Sequence, residues 1–158
     1  MRQIDAIRDV LWDGTTEELQ EKLRGSRYWR RRPEYIVHTR TYLRTTCGLR
    51  LRTLLEAMPE PIAKRDFFAQ NTGVKGIRYK EASHFLRNIG FTGYAILDKH
   101  ILSSLKEFGV LRSARPPKNR AQYHRIERRA KAFAETVRIG LDDMDLLLWS
   151  RKTGKILK

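Results

Sequence analysis

The chain has 158 residues, of which 41% are hydrophobic and 32% are charged, enough for one domain with an apolar core or for two small lobes sharing a cleft. No apolar run approaches the roughly 18 residues of a membrane span, and mixed polar sequence rather than a signal peptide follows Met1, so we expect a soluble, cytoplasmic protein. The net charge of +15, from 33 Lys and Arg against 18 Asp and Glu, favours nucleic acid as a partner over a merely solvated basic surface.

The chain contains a single cysteine, Cys47, which excludes an internal disulfide. No Cys and His residues show the spacing of metal ligands, so we expect neither a metal site nor a cofactor. Cys47 is predicted to be a small core residue.

Helical periodicity dominates the chain and no alternating strand pattern is convincing, so the predicted fold class is all-α. Thr15 and Glu18 form a capping box that predicts the start of a helix, and Gly25 is predicted to end it. Further helices are predicted from Pro33 to about Gly48, from Leu49 to Met58 and from Pro61 toward Asn71.

The second half of the chain predicts four more helices. Ala82, Phe85, Leu86 and Ile89 recur at helical spacing, and Asp98 is well placed as the N-cap of a helix that carries Ile101, Leu102, Leu105 and Phe108. A basic linker over 112–119 precedes a long helix that carries Tyr123, Ile126, Ala130, Phe133 and Val137 and ends at Gly140. The last predicted helix runs from Leu141 to Trp149, before a basic tail.

A short hairpin over 72–79 joins two of the predicted helices. Such a hairpin directs backbone N–H groups toward a phosphate, and Gly76 lets the backbone approach closely. Lys75 and Arg78 add positive charge beside those amides, which is typical of a contact with a nucleic-acid backbone. From the residues alone, an ordinary turn between packed helices remains the alternative.

The segments VKGIRYKEASHFLRNIG, over 74–90, and AILDKH, over 95–100, resemble the helix-hairpin-helix DNA glycosylases. More narrowly, they are similar to the archaeal-type (type 2) 8-oxoguanine DNA glycosylase/AP lyases, and the C-terminal LLLWSRKTGKILK is similar to the ending of that group. The resemblance implies a helical bundle with a cleft, in one compact domain over 1–158. Residues 1–111 would carry the hairpin and the catalytic region 74–102, and 118–158 the C-terminal helices and tail.

By this resemblance, Lys80 matches the lysine that attacks the deoxyribose, expels the damaged base and forms a Schiff base. Asp98 matches the aspartate that assists departure of the base and stabilises positive charge on the sugar, and β-elimination then nicks the strand. An attacking lysine must be neutral, and partial burial, the nearby cations Lys75 and Arg78 and the helix N-terminus favour the neutral amine. Without the resemblance, a surface lysine and a plain N-cap aspartate are the alternatives.

The predicted function is therefore a DNA repair N-glycosylase/AP lyase that excises 8-oxoguanine from double-stranded DNA in the cytoplasm, in association with the nucleoid. Two alternatives remain: a non-catalytic helix-hairpin-helix module that binds only the DNA backbone, and a basic RNA-binding protein. Neither would need both Lys80 and Asp98. No membrane partner is expected.

The damaged base must leave the stack and enter a pocket. The resemblance places Trp149 and the terminal Lys158 at base-recognition positions, and Asp145 and Tyr28 are weaker candidates for polar and stacking contacts. Core packing is the alternative for Trp149. His100 matches a position that contacts a backbone phosphate in related enzymes, or else it is a helix-surface histidine without function; Glu81 and His84 flank Lys80 and would only line the pocket.

The sequence departs from the family pattern in two places. Arg78 replaces a glycine of the hairpin, which would make a positive-φ turn costly at that position. Relatives also normally carry further N-terminal helices before the position that matches Met1. We therefore expect a fold without those helices, and a homodimer or a partner chain in their place.

Overall fold

The computed structural model describes residues 5–154, and all the regular elements in this range are α-helices. Their contacts divide the chain into a first unit that ends at Ile77 and a second unit that begins at Arg78. The single compact domain stays a prediction. No helix in the described range is long and apolar enough to cross a membrane.

The first unit contains helices α1 (Thr16–Lys22), α2 (Arg32–Cys47), α3 (Leu51–Glu56) and α4 (Pro61–Ala69). The predicted capping box is confirmed, since the Glu18 N–H donates to Thr15 Oγ1 at 3.2 Å and the Thr15 N–H donates to Glu18 Oε2 at 2.7 Å. Helix α1 ends at Lys22, earlier than the predicted Gly25, whereas Gly48 caps α2 in the left-handed conformation as predicted.

A small core in the first unit forms between α1 and α2. Leu19 and Leu23 are buried there together with Ile7, and Ile36 of α2 packs against them. The Arg40 guanidinium donates to the carbonyls of Leu11 at 2.8 Å and Gly14 at 2.7 Å, which ties the segment before α1 to α2. Cys47, predicted to lie in the core, is only half-buried at the end of α2.

The second unit contains α5 (Tyr79–Asn88), α6 (Lys99–Glu107), α7 (Arg120–Thr136) and α8 (Leu141–Thr153). Its core is the larger of the two described and draws on α6, α7 and α8. The buried members of that core include Ile101, Leu102, Leu105, Tyr123, Ala130, Met144 and Leu148. The amphipathic spacing read from the sequence thus identifies the inward faces of these helices.

Two predicted helix ends in the second unit are wrong, those at Gly140 and Trp149. Phe108 and Val137 are the C-cap residues of α6 and α7, and they stay 47% and 40% exposed because the chain turns away there. Gly140 does not end α7, which stops at Thr136; it is the N-cap of α8. Helix α8 continues beyond Trp149 to Thr153.

Candidate active site

The second unit contains a cavity of about 370 Å³, which lies within the usual range of small-molecule pockets, roughly 300–1,000 Å³. It lies between α5, the segment before α6, and α8. We call it the active-site cavity, and its lining residues are Lys80, His84, Arg87, Asn88, Ile96, Asp98, Asp145, Leu146 and Trp149. The structure therefore brings together Lys80, Asp98, Asp145 and Trp149, four residues that the sequence singled out.

Lys80 is the second residue of α5, so its backbone lies at the positive end of the helix dipole. Its side chain is 42% exposed and its Nζ lies 3.3 Å from Glu81 Oε1. A half-exposed pair of this kind is weak and easily opened. Glu81 therefore pairs with the candidate nucleophile. From the sequence alone, Glu81 is expected only to line the pocket.

Asp98 is the N-cap of α6, as predicted. Its Oδ1 accepts the backbone N–H groups of His100 at 2.8 Å and Ile101 at 2.9 Å. These bonds and the helix N-terminus stabilise the carboxylate. Its Oδ2 accepts no hydrogen bond from any residue between 5 and 154, so this oxygen remains available to a positive charge in the cavity.

Asp145 is the most deeply buried acid of the cavity, with only 3% of its surface exposed. Its Oδ2 accepts hydrogen bonds from Arg87 Nη1 and the Ile96 N–H, both at 2.7 Å. Burial outweighs these contacts and raises the pKa of Asp145 to about 7. Its Oδ1 is buried and accepts no hydrogen bond within the described part of the chain.

Arg87 holds the Asp145 carboxylate in place. Arg87 was not identified from the sequence as a residue of the site. Its guanidinium also donates to the Asp142 carbonyl at 2.8 Å, and the side chain is only 10% exposed. It thereby links α5 to α8. A basic residue beside an apolar helical stripe is ordinary, so the sequence carried no signal that could have identified it.

Trp149 lies at the border between the core of the second unit and the active-site cavity. It is half-buried, packs against the core of the second unit, and also lines the active-site cavity. His84 lines the cavity as well; partial burial, followed by the charge of Lys80, lowers the pKa of this imidazole. A neutral ring and an indole therefore border the space beside Lys80.

The hairpin segment before α5 is held by α2. The Lys75 N–H donates to Thr39 Oγ1 at 2.9 Å, the His38 ring contacts the Thr72 carbonyl at 3.2 Å, and Asn71 Nδ2 donates to the Tyr42 hydroxyl at 2.7 Å. The backbone amide of Lys75 is therefore occupied within the protein. The N–H groups of Gly76 and Ile77 donate to no described residue and remain free for a phosphate.

The expected backbone cost at Arg78 is absent. Arg78 is extended, with φ −110° and ψ −175°, and serves as the N-cap of α5. The positive φ of the hairpin falls on Gly76, at +77°, where a glycine is present. The arginine is therefore accommodated without strain, because the turn needs its left-handed residue two positions earlier.

Two further predicted residues, His100 and Tyr28, are not among the residues that line the cavity. His100 is the second residue of α6, and its backbone N–H is bound to Asp98. Tyr28 belongs to the first unit, is 59% exposed, and its hydroxyl accepts a hydrogen bond from Arg27 at 2.8 Å. Lys158 lies outside the described residues. Within 5–154, no group of three or more His, Cys, Asp or Glu side chains is arranged to hold a metal ion.

Comparison with known families gives one consistent match. A family profile described as 8-oxoguanine DNA glycosylase matches residues 1–139. The chain is 39% identical over 144 residues to a Methanocaldococcus jannaschii protein named 8-oxoguanine DNA glycosylase/AP lyase, covering 90% of this chain and 66% of that protein. It is 38% identical over 160 residues to the protein of the same name from Korarchaeum cryptofilum, covering 100% of this chain and 73% of that protein.

Solved structures agree with the sequence matches. The crystal structure of the M. jannaschii 8-oxoguanine DNA glycosylase superimposes with a TM-score of 0.83 at 37% identity, covering 99% of this chain and 71% of that one. The enzyme from Thermotoga maritima superimposes with a TM-score of 0.83 at 36% identity, covering 99% and 72%. These matches confirm the predicted all-α, helix-hairpin-helix glycosylase fold. The chain spans about two thirds to three quarters of the length of these proteins.

Proposed function

This chain belongs to the 8-oxoguanine DNA glycosylase family, and from that premise we infer that it is a DNA repair enzyme, a bifunctional DNA glycosylase and AP lyase. The observation that carries this inference is the position of Lys80 and Asp98 on the lining of one cavity. An amine that attacks a sugar carbon and a carboxylate that stabilises the resulting cation are the two groups that the reaction requires.

The reaction begins when the target nucleotide leaves the stack and its base enters the active-site cavity. The neutral amine of Lys80 bonds to C1′ of the deoxyribose, the N-glycosidic bond breaks, and the base leaves with the bonding electrons and takes up a proton. The free Oδ2 of Asp98 stabilises the positive charge that develops on the sugar. The lysine nitrogen then loses a proton and the C1′–O4′ bond breaks, which opens the sugar ring and leaves a Schiff base and a 4′-hydroxyl. The Schiff base acidifies the C2′ proton, whose loss expels the 3′ phosphate and nicks the strand.

Two further residues of the cavity suit recognition of the base. Trp149 presents an aromatic face, and the carboxyl group of Asp145, which also lines the cavity, accepts an N–H from the edge of a purine. Arg87 restricts the orientation of that carboxylate through its 2.7 Å contact. Oxidised guanine is the base that the names of the relatives indicate, and Lys158 and Tyr28 stay predicted contacts.

The hairpin binds the DNA backbone. The free N–H groups of Gly76 and Ile77 bind a phosphate, and the exposed side chains of Lys75 and Arg78 add charge to the same stretch of chain. His100, at the N-terminus of α6, is the further backbone contact. These contacts position the duplex without reading its sequence.

Borohydride trapping tests the proposed reaction. Wild-type protein incubated with an 8-oxoguanine duplex and borohydride should form a covalent protein–DNA adduct, and Lys80→Gln should form none. Lys99→Gln, an exposed lysine at the start of α6, is the matched control and should trap normally. No adduct on either 8-oxoguanine or an abasic site would contradict the proposal and leave a DNA-backbone-binding module.

The same assay defines the substrate range. An adduct on 8-oxoguanine but none on undamaged guanine would support oxidised guanine as the substrate.

The homodimer or partner chain predicted from the sequence stays a prediction, and the molar mass of the protein in solution, with and without DNA, tests it. A location in the cytoplasm beside the nucleoid follows from a DNA substrate.

A further inference from the structure

A second cavity of the second unit shares no lining residue with the active-site cavity. It has a volume of about 400 Å³ and lies between the linker over 111–119 and helix α7. Five cationic side chains line it, and we call it the basic groove: Arg112, Arg115, Lys118, Arg125 and Arg129. All five are exposed, and none lines the active-site cavity.

No described residue neutralises the charges of the basic groove. Within 5–154, none of the five cations forms an ion pair. The sequence between Glu107 and Glu135 holds eight Lys and Arg residues and one acid, Glu127. That acid is turned inward: its side chain is 14% exposed and accepts the Ala95 N–H at 3.0 Å. The groove is therefore a concentrated positive field with no internal counter-charge.

The groove is also preorganised. Pro116 and Pro117 restrict the linker, and the Lys118 N–H donates to Gln122 Oε1 at 2.8 Å. Gln122, Arg125 and Arg129 follow one another at spacings of three and four residues, so they share one face of α7. Holding cations close together disfavours the folded state unless a polyanion binds them, and a rigid groove loses little entropy on binding.

The chemistry of the lining distinguishes among polyanions. Guanidinium groups pair with phosphate oxygens through two parallel hydrogen bonds. The described lining contains no aromatic side chain on which an unpaired base could stack, and stacking platforms are typical of surfaces that bind single strands. The groove thus fits the phosphate backbone of a duplex and does not read bases.

We propose that the basic groove binds the phosphate backbone of the duplex substrate, as a second DNA-binding site outside the active-site cavity. This proposal rests on the proposed function, because that function makes duplex DNA the substrate. The groove contributes affinity that is independent of sequence and of the lesion, and it takes no part in breaking bonds. Its loss should therefore change binding and leave the trapping reaction at saturating protein unchanged.

The salt dependence of binding tests the groove directly. The probe is a duplex with a tetrahydrofuran abasic-site analogue, which cannot form a Schiff base. For Arg125→Ala/Arg129→Ala, the slope of log affinity against log salt concentration should become shallower by about 2, roughly one unit for each lost phosphate contact. Alanine is a strong helix former, so α7 should persist, and circular dichroism checks this.

Two variants serve as matched controls. Arg128→Ala/Lys131→Ala removes the same charge from exposed positions of the same helix that do not line the groove, and it should change the slope by less than half as much. Arg125→Lys/Arg129→Lys keeps the charge in the groove, and its slope should stay close to that of the wild type.

Equal slope changes in the groove variant and the Arg128/Lys131 control would overturn the proposal, since net charge alone would then explain binding. Loss of affinity for an RNA or an acidic peptide, with unchanged affinity for the duplex, would also overturn it. Borohydride trapping shows separately whether the proposed function itself fails. In that case the wild type gives no borohydride adduct on an abasic site, whatever the groove variants do to binding.

Discussion

In the proposed mechanism, Asp98 combines a structural and a chemical task on two different oxygen atoms. Oδ1 caps α6 through two backbone N–H groups, and Oδ2 is left for the cavity. The cap restricts the side chain to one orientation before any substrate binds. A residue that must stabilise a short-lived cation benefits from this, because no reorganisation is needed at the moment of reaction.

The two tasks can be separated by substitution. Asp98→Asn keeps a capping oxygen, so the free energy of unfolding should change by less than about 0.5 kcal/mol, whereas Asp98→Ala should lose about 1 kcal/mol. Both variants lack the carboxylate charge, so single-turnover excision should fall by about 100-fold or more in each. Urea unfolding and excision kinetics measure the two effects. Full activity in Asp98→Asn would remove the electrostatic role.

Asp145 makes stability depend on pH. Burial raises its pKa to about 7, whereas an unfolded aspartate has a pKa of about 3.9. The folded state therefore holds this proton more tightly, so its contribution to stability is complete below about pH 4 and is lost as the pH rises through about 7. Relative to Asp145→Asn, the free energy of unfolding of the wild type should fall by a few kcal/mol between pH 4 and pH 8.

Urea unfolding at a series of pH values measures this difference. Asp145→Asn also weakens the contact with Arg87, which changes the free energy of unfolding of the variant. Because the asparagine side chain does not titrate, this change is nearly the same at every pH. The pH dependence of the difference therefore reports on Asp145 itself. Parallel curves for the two proteins would show that the carboxyl is ionised throughout.

At the scale of secondary-structure elements, the hairpin is held in place by α2. Side chains of that helix bind the Thr72 carbonyl and the Lys75 N–H, and the Tyr35 ring lies against Gly76. A Cβ at position 76 would lie 2.7 Å from the Tyr35 ring, in a residue with φ +77°. Gly76 therefore has both a conformational and a steric reason to be glycine.

Gly76→Ala should accordingly weaken both the fold and DNA binding. A left-handed alanine costs roughly 1–2 kcal/mol, and displacement of Tyr35 adds to this. Gly109→Ala is the matched control, since Gly109 has φ +72° but nothing within 4 Å of the added Cβ. Its loss of stability should be the smaller, with affinity for an abasic-analogue duplex unchanged. Equal losses of stability and affinity in both variants would contradict a specific role of the hairpin.

At the scale of the whole molecule, the two described cavities of the second unit differ in the side chains that line them. The active-site cavity carries the candidate nucleophile, the acid and the aromatic face, and the basic groove carries charge without catalytic groups. The first unit contributes most of the hairpin and the helix that supports it. Five of the 33 Lys and Arg residues line the basic groove.

The sequence by itself determined the helices, their inward faces and the N-caps at Thr15 and Asp98, because these depend on residues within a few positions of one another. Its motifs also determined the family and the two catalytic candidates. Only the tertiary structure decided the contact of Arg87 with Asp145, which lies 58 positions further along the chain. It also decided the burial that raises the pKa of Asp145, the place of the positive φ at Gly76 instead of Arg78, and the basic groove. Each of these depends on which distant segments pack together, and local patterns carry no record of that packing.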